Sequence, residues 1–275
     1  MRIFYIAEIT GKAGVWAVKK NMALIKRTYQ PDFIIANANM ATGAGGLGKQ
    51  HASYLKKMGI DCITGGDCIF QKKDLIDVLP QMTFILRPFN IPLQSPGNGI
   101  RFFTRGGQKL AVISLLGRVG HHRLLADNPF TLMQSALPDI ERETRFIIAD
   151  FFSSATAEKQ TMAFFLAGKV SALIGSGMGA ATADCRLMTA NADTGTKRKT
   201  AYITDAGRTG SFDSVGGYAP ASKIREYRTG LFEYPQETWQ RVCVQGLDIE
   251  LDGAGSARSI ERIRLELFTE QSGSL

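Results

Sequence analysis

The sequence has few of the features that mark membrane, secreted or disulfide-linked proteins. It contains no uninterrupted run of about 18 apolar residues, the length that a membrane-spanning helix needs. Its first residues, MRIFYIAEITGK, lack a charged leader followed by a small-residue cleavage site. Only four cysteines occur and none forms a C-x-x-C pair, so we expect reduced thiols. These absences predict a cytoplasmic protein that has no membrane association.

Histidine, a common metal ligand, is also scarce. The chain contains only His51, His121 and His122. None of them lies at the end of a predicted strand, so we expect each to be a surface or packing residue. His121 and His122 follow GRVG in a loop, but adjacent side chains diverge in extended backbone and rarely bind one ion together.

The rest of the composition is typical of a globular protein. The chain has 275 residues, of which 44% are hydrophobic and 21% charged, with no internal repeat or long linker. We therefore expect a single domain over residues 1–275. The net charge of +8 favours anionic partners without identifying one, and its densest part, Lys197, Arg198 and Lys199, is typical of a solvated loop. No nucleic-acid reader motif occurs, so nucleic-acid binding is not expected.

Strand patterns alternate with helical patterns along most of the chain. Strands are predicted at RIFYIAEI, DFIIANANM, DCITGGD, TFILRP, KLAVISLLG, RFIIADFF, SALIGS and TAYITDAG. Helices are predicted at VWAVKKNMALIKRTY, HASYLKKMG, KKDLIDVLP and AEKQTMAFFLAG. The segments WQRVCVQGLDIELDG and ARSIERIRLELF alternate like an antiparallel pair. The pattern predicts an α/β fold with a largely parallel sheet and helices on its faces.

Polar and glycine residues follow several of these predicted strands. Ligands of open α/β sheets bind beyond the carboxyl ends of the strands, so these positions are candidate site residues. They are Glu8, Asn39, Asp67, residues 150–152, residues 175–179 and Asp205.

Short sequence segments around these positions resemble those of a known family. The matching segments, in order, include GK, IAN, ITGGD, LRP, GRV, NPF, TAD, YITDAG, DSV and SIERI. The chain from Met1 to about Ile263 resembles the YmdB-like family of dinuclear metallophosphoesterases, which hydrolyse cyclic nucleotide phosphodiesters. The resemblance implies a calcineurin-like metallophosphoesterase sandwich of mostly parallel and mixed sheets flanked by helices. It also implies a homo-oligomer.

The first metal-ligand positions that the resemblance implies carry other residues here. Where the family has G-D-I, this chain has Glu8, which is one methylene longer. Where the family has G-E-N, it has Asn39 and Met40, and methionine suits neither a hard cation nor phosphate. Where the family has G-N-H, it has Asp67 and Cys68, so a thiol replaces the imidazole that would protonate the leaving oxygen. Without a neighbouring histidine, Cys68 is interpreted as a structural thiol.

The remaining ligand positions have lost their imidazoles. The family's D-F-H is DFF here, which places Phe152 at a ligand position beside Asp150. The family's G-T-H-T-H is GSGMG, which places Gly177 and Gly179 at two more. GSGMGA also has the G-x-G-x-x-A spacing of a dinucleotide-binding turn, but AATADCRLMTANADTG, which follows, has no helical face. We therefore interpret the glycines as turn residues at former ligand positions.

A pair of ions about 3.5 to 4 Å apart needs several converging ligands. The substitutions predict a catalytically inactive homologue, a pseudoenzyme that acts through protein interactions as a scaffold or regulator, with no cofactor and an unidentified protein partner. The alternative is a phosphodiesterase, or a sensor of a phosphate or nucleotide ligand, with an altered site. In that alternative one Mg²⁺ or Mn²⁺ is held by Glu8, Asn39, Asp67 and Asp150, or the backbone amides of residues 175–179 form an anion nest.

Overall fold

The fold was analysed in a computed structural model that describes residues 1–43, 45–120, 124–190 and 197–267. The helices are α1 (Gly11–Tyr29), α2 (Lys49–Met58), α3 (Lys73–Ile76), α4 (Pro129–Glu143), α5 (Thr156–Leu166) and α6 (Pro220–Thr229). The strands are β1 (Arg2–Ile6), β2 (Glu8–Ile9), β3 (Phe33–Asn37), β4 (Cys62–Thr64), β5 (Ile85–Leu86), β6 (Ile100–Arg105), β7 (Gln108–Leu116), β8 (Phe146–Phe152), β9 (Ala172–Ser176), β10 (Arg186–Thr189), β11 (Lys199–Ile203), β12 (Arg208–Ser211), β13 (Val242–Leu251) and β14 (Ala257–Leu267).

The strands form two mixed sheets rather than one largely parallel sheet. The eight-stranded sheet has the order β2-β12-β13-β1-β3-β4-β5, with β14 paired to β13. The six-stranded sheet has the order β10-β11-β9-β8-β7-β6. Strands β1, β3, β4 and β5 run parallel, as do β7, β8, β9 and β11. The predicted antiparallel pair is confirmed as β13 and β14.

The alternation of side chains along each strand fills three apolar layers. In β1, Ile3 and Tyr5 pack into the core between the two sheets, whereas Phe4 and Ile6 pack with Val18 of α1. On the far side, α4 and α5 cover the six-stranded sheet through residues such as Met133 and Met162. The layers are therefore helix, sheet, sheet and helix, which agrees with the predicted sandwich.

Several element predictions need correction. Helix α3 is one turn long, although the sequence predicts a helix over KKDLIDVLP, and β5 has two residues where the prediction gave six. The sequence analysis predicted neither α4, which has Pro138 in its interior, nor α6, which buries only Ser222. Across the described ranges, no helix is long and apolar enough to cross a membrane.

Candidate functional site

A cleft of about 570 Å³ lies beyond the carboxyl ends of parallel strands from both sheets. Of the candidate residues predicted from the sequence, it is lined by Glu8, Asn39, Met40, Asp67, Cys68, Phe152, Gly177 and Gly179, whereas Asp150, Gly175 and Asp205 lie outside its lining. The eight-stranded sheet supplies the first five of these lining residues, and the six-stranded sheet supplies the other three. The strand-end rule therefore located the cleft correctly.

Glu8 is a buried acid of the cleft with a strongly raised pKa. It begins β2 and is only 6% exposed, and its Oε1 atom has no hydrogen-bond partner among the described residues. Burial raises the pKa of Glu8 to about 8, and the negative charges of Asp205 and Asp67 add to the shift. The side-chain amide of Asn39 counteracts part of it. A buried carboxyl group with an unsatisfied oxygen is costly unless a proton or a cation neutralises it.

Asn39 presents its amide nitrogen, not its carbonyl oxygen, to the acids of the cleft. Its Oδ1 accepts hydrogen bonds from the backbone N–H groups of Gly66 at 2.8 Å and Cys68 at 3.0 Å. Its Nδ2 donates to Asp67 Oδ1 at 3.0 Å. Because the two backbone donors fix which end of the amide faces inward, Asn39 acts here as a donor that joins acidic groups. The sequence analysis considered it as a cation ligand, a role that would need the opposite orientation.

Phe152 and Gly177 pack against each other at positions where the resemblance implies imidazoles. Gly177 has φ of +100°, and a Cβ there would lie 3.1 Å from the ring of Phe152. A Cβ at Gly66 would lie 2.5 Å from the same ring. The ring is 5% exposed and packs closely against both glycines. A side chain at position 177 would crowd the ring of Phe152, so a glycine is favoured there by this packing as well as by the turn. Gly175, by contrast, lies inside β9 and not in a turn.

Asp150 lies beneath the cleft, and both of its carboxylate oxygens accept hydrogen bonds from other side chains. It is 1% exposed, and burial raises its pKa. Its Oδ2 accepts hydrogen bonds from Tyr5 Oη at 2.8 Å and Asn37 Nδ2 at 3.0 Å, and a third from the hydroxyl group of Thr64. Its Oδ1 accepts one from Ser176 Oγ at 2.6 Å. Asp150 thus ties the two sheets together and does not line the cleft.

A buried ion pair supports the glycine loop that forms one wall. Lys159 Nζ of α5 lies 2.9 Å from Asp205 Oδ2, and both side chains are at most 1% exposed. The same oxygen accepts from the backbone N–H of Met178 at 2.9 Å. The Met178 amide therefore points into the protein, so it does not contribute to the anion nest that the sequence analysis considered. Asp205 fixes the loop and, through its charge, raises the pKa of Glu8.

Sequence reasoning missed several residues of the cleft, among them Arg208 and two residues at helix α6. Lys223 of α6 and Tyr218, which precedes that helix, also line it. Tyr218 Oη donates to the carbonyl oxygen of Gly43 at 3.1 Å, and burial raises its pKa to about 12, so the hydroxyl group stays protonated at neutral pH. Lys223 Nζ is 2.8 Å from Glu226 Oε2. The segment DSV before them matched the family, but no motif marked either side chain.

The histidines give no second ligand set within the described ranges. His51 lies outside the cleft, with Nδ1 2.8 Å from Thr42 Oγ1, and burial lowers its pKa. His121 and His122 lie outside the described residues. Among the residues that the structure describes, no group of three or more His, Cys, Asp or Glu side chains is arranged to hold a metal ion.

Comparisons with known proteins agree with the fold. The chain matches the family described as YmdB-like protein over residues 4–263. It is 32% identical over 264 residues to the 2′,3′-cyclic-nucleotide 2′-phosphodiesterase of Bacillus subtilis (strain 168), with 96% of each chain covered. A crystal structure of a phosphatase from Mycoplasma pneumoniae superposes with a TM-score of 0.88 at 27% identity, covering 97% of this chain and 93% of that one. The NAD nucleotidase of Haemophilus influenzae shares the fold alone, with a TM-score of 0.61 at 12% identity over 97% of this chain and 56% of that one.

These comparisons confirm two predictions and overturn a third. The resemblance and the calcineurin-like metallophosphoesterase fold are confirmed. The prediction of an inactive pseudoenzyme that acts as a scaffold or interaction protein is wrong. Proteins that are similar over nearly the whole chain are named as a phosphodiesterase and a phosphatase, which agrees with the alternative that the sequence analysis left open.

Proposed function

Because the chain belongs to the YmdB-like family, we propose that it is a phosphodiesterase that cleaves a nucleotide phosphodiester in this cleft, using one divalent cation held by Glu8 and Asp67. The observation that carries the proposal is the unsatisfied Oε1 of Glu8, a carboxylate oxygen that is buried in the wall of the cleft. The name of the Bacillus subtilis relative supports a 2′,3′-cyclic nucleotide as the first substrate to test.

The chemistry of the donor set fits one hard cation. Mg²⁺ and Mn²⁺ prefer carboxylate oxygens, and Glu8 and Asp67, whose charges interact, both line the cleft. Positive charge at this point would oppose the burial and the neighbouring carboxylates that raise the pKa of Glu8. The unsatisfied oxygen and the excess of negative charge would both be relieved by the same ion.

The same donor set does not suit a pair of ions. Asn39 directs its N–H donors at Asp67, and the oxygens of Asp150 are taken by four side chains. The ring of Phe152 fills the space beside Gly177. We therefore reduce the four-residue ligand set of the sequence analysis to Glu8 and Asp67, and we propose Asn39 and Asp150 as positioning residues.

Several residues in and around the cleft have distinct parts in the proposed reaction. A bound Mg²⁺ or Mn²⁺ would supply Lewis acidity toward a phosphoryl oxygen. Lys223 adds a positive charge to the lining, where it favours an anionic substrate. Asn39 holds Asp67 in place, and Asp205 holds the loop of residues 177–179 against the substrate side. Phe152 and Met40 supply apolar surface that excludes water from one wall.

Hydrolysis of 2′,3′-cyclic AMP in Mg²⁺ or Mn²⁺ tests the proposal. We expect turnover by the natural chain, loss of turnover with a chelator, and a fall of about 100-fold or more for Glu8→Gln and Asp67→Asn. Glu143→Gln, which removes an exposed carboxylate on α4, is the matched control and should leave the rate unchanged. Equal rates for Glu8→Gln and the control would show that the cleft is not the site. Binding of the nucleotide without any turnover would instead favour a sensor.

Three further expectations remain proposals. They are a single domain over residues 1–275, a cytoplasmic location and assembly into a homo-oligomer.

A further inference from the structure

A second groove of about 850 Å³ adjoins the cleft. Gly179 and Arg208 line both of them, so the two spaces meet at these residues. The groove runs between the segment that follows the glycine loop and the paired strands β13 and β14. None of the reaction steps above uses it.

The groove begins where the inner face of the eight-stranded sheet changes from apolar to polar. Ile249 is paired with Ile260, and both pack in the core between the sheets. Four residues earlier in β13, Gln245 is paired with Arg264 on the same face. The space between the sheets therefore continues past the apolar core into a polar channel.

The facing wall is made of residues without long side chains. Gly179, Ala180, Ala181 and Ala183 line it, and this run of small residues leaves the volume of the groove open. Arg208 holds this wall in place, since its Nη1 donates to the carbonyl oxygen of Gly179 at 2.9 Å. Its Nη2 also donates to the carbonyl oxygen of Phe212 at 3.0 Å.

The side chains of the groove carry an excess of positive charge. Three arginines, Arg208, Arg262 and Arg264, line it together with a single acid, Glu261. Arg262 uses one N–H in a 3.0 Å hydrogen bond to the carbonyl oxygen of Thr182, which leaves further donors of its guanidinium group for a ligand. Arg264 stacks over the ring of Phe212 at 3.9 Å and pairs with Glu266 at 2.5 Å. Both are held in place at the groove.

We propose that this groove binds the phosphates that flank the cleaved bond of a short single-stranded oligonucleotide. The inference rests on the proposed diesterase function, which places the cleaved diester in the cleft. A ligand that fills both spaces must therefore carry a diester in the cleft and further negative charges beyond Gly179. An oligonucleotide meets both conditions, since its phosphates repeat along the strand. The ring of Phe212 already stacks with the guanidinium groups of Arg264 and Arg241, so it is engaged with cations of the protein itself. Recognition is therefore by phosphate and independent of sequence.

Binding of a 5′-fluorescein tetra-adenylate ribonucleotide, followed by fluorescence anisotropy in chelator, tests the groove without hydrolysis. We expect Arg262→Gln and Arg264→Gln each to weaken binding about tenfold. Each should also reduce the slope of log K against log salt by about 0.7. AMP should bind both variants as it binds the natural chain. Arg101→Gln, which removes an exposed charge from β6 at the opposite edge of the six-stranded sheet, is the control and should bind the tetranucleotide normally.

The outcomes separate this inference from the proposed function. Tetranucleotide binding that is unaffected in both groove variants, or that a hexaglutamate peptide displaces as well as unlabelled tetra-adenylate does, would overturn it. Arginine-dependent binding by a chain that hydrolyses no diester would support the groove and refute the enzyme. Hydrolysis of 2′,3′-cyclic AMP with no gain in affinity from AMP to the tetranucleotide would support the enzyme and refute the groove.

Discussion

The side-chain amide of Asn39 donates a hydrogen bond to Asp67, with 3.0 Å between Nδ2 and Oδ1. At the position where the family resemblance implies an acidic metal ligand, this chain has a neutral donor whose orientation is fixed by two backbone N–H groups. The amide offsets part of the negative charge that a second cation would otherwise balance. The proposal of one ion rather than two follows from this contact more than from any other.

Asn39→Asp should convert the contact from attraction to repulsion. Without a cation, the new carboxylate faces Asp67, so we expect the free energy of unfolding to fall by about 1–3 kcal/mol. With Mn²⁺ present, the added negative charge should tighten binding about tenfold or more. Urea unfolding and isothermal titration measure the two effects. Unchanged or weaker Mn²⁺ binding would show that the ion does not bind next to Asn39.

Glu8 should make the stability of the chain depend on pH when a chelator is present. Its pKa is about 8 in the fold against 4.5 for the ordinary group, so between these values the folded chain holds a proton that the unfolded chain has lost. The stabilisation that the protonated Glu8 gives the folded chain is complete below pH 4.5 and is lost as the pH rises through about 8. Relative to Glu8→Gln, the natural chain should therefore lose stability over this window, by at most about 1.4 kcal/mol per pH unit. Parallel curves for the two proteins would contradict the shifted pKa.

Lys159→Met should destabilise the chain strongly, because it leaves the buried carboxylate of Asp205 without its cationic partner. Removal of one member of a buried pair costs about 3–5 kcal/mol. The double variant Lys159→Met with Asp205→Asn removes both charges and should recover much of that loss. Chemical unfolding compares the three proteins. A loss below about 1 kcal/mol for Lys159→Met would show that the pair is not the support of the loop that we describe.

Asp150→Asn separates a positioning role from a ligand role. The substitution keeps the shape of the side chain but replaces one acceptor oxygen, so we expect a loss of about 1–3 kcal/mol in the free energy of unfolding. Because Asp150 lies beneath the cleft and acts on Glu8 only through its charge, the affinity for Mn²⁺ should fall only slightly. A clear fall in that affinity, measured by titration calorimetry, would return Asp150 to the ligand set.

The location of the cleft was predictable from sequence because it depends on a general rule. Apolar runs marked most of the strands, and the residues that follow parallel strands meet at one edge of a sheet. The positions of Glu8, Asn39, Asp67 and Gly177 near the cleft could therefore be predicted without knowledge of their neighbours. The antiparallel pair of β13 and β14 was predictable because apolar and polar residues alternate over parts of both segments, as in residues 247–251 and 263–267.

The chemistry of the cleft was less predictable because it depends on contacts between distant segments. The sequence contains Asn39 but does not say which end of its amide faces Asp67; the backbone N–H groups of Gly66 and Cys68 decide that. The mutual packing of Phe152 and Gly177 joins two strands of the six-stranded sheet and left no local signal. Helix α6 was missed because it is mostly exposed and has little apolar pattern, and Lys223 was missed with it.

Substitution at the family's ligand positions was also a poor guide to activity. It led to the prediction of an inactive scaffold, which the similarity to a named phosphodiesterase over 96% of the chain overturns. A carboxylate with an unsatisfied oxygen, Glu8, remains at the first of these positions and lines the cleft. Loss of one ligand set is compatible with a different one.

The rate of 2′,3′-cyclic AMP hydrolysis as a function of Mn²⁺ concentration is the most direct test of the central claim. We predict a hyperbolic rise that corresponds to one ion per chain and is absent in Glu8→Gln. A sigmoidal rise that requires two ions, the same curve for Glu8→Gln, or no hydrolysis at any Mn²⁺ concentration would contradict it.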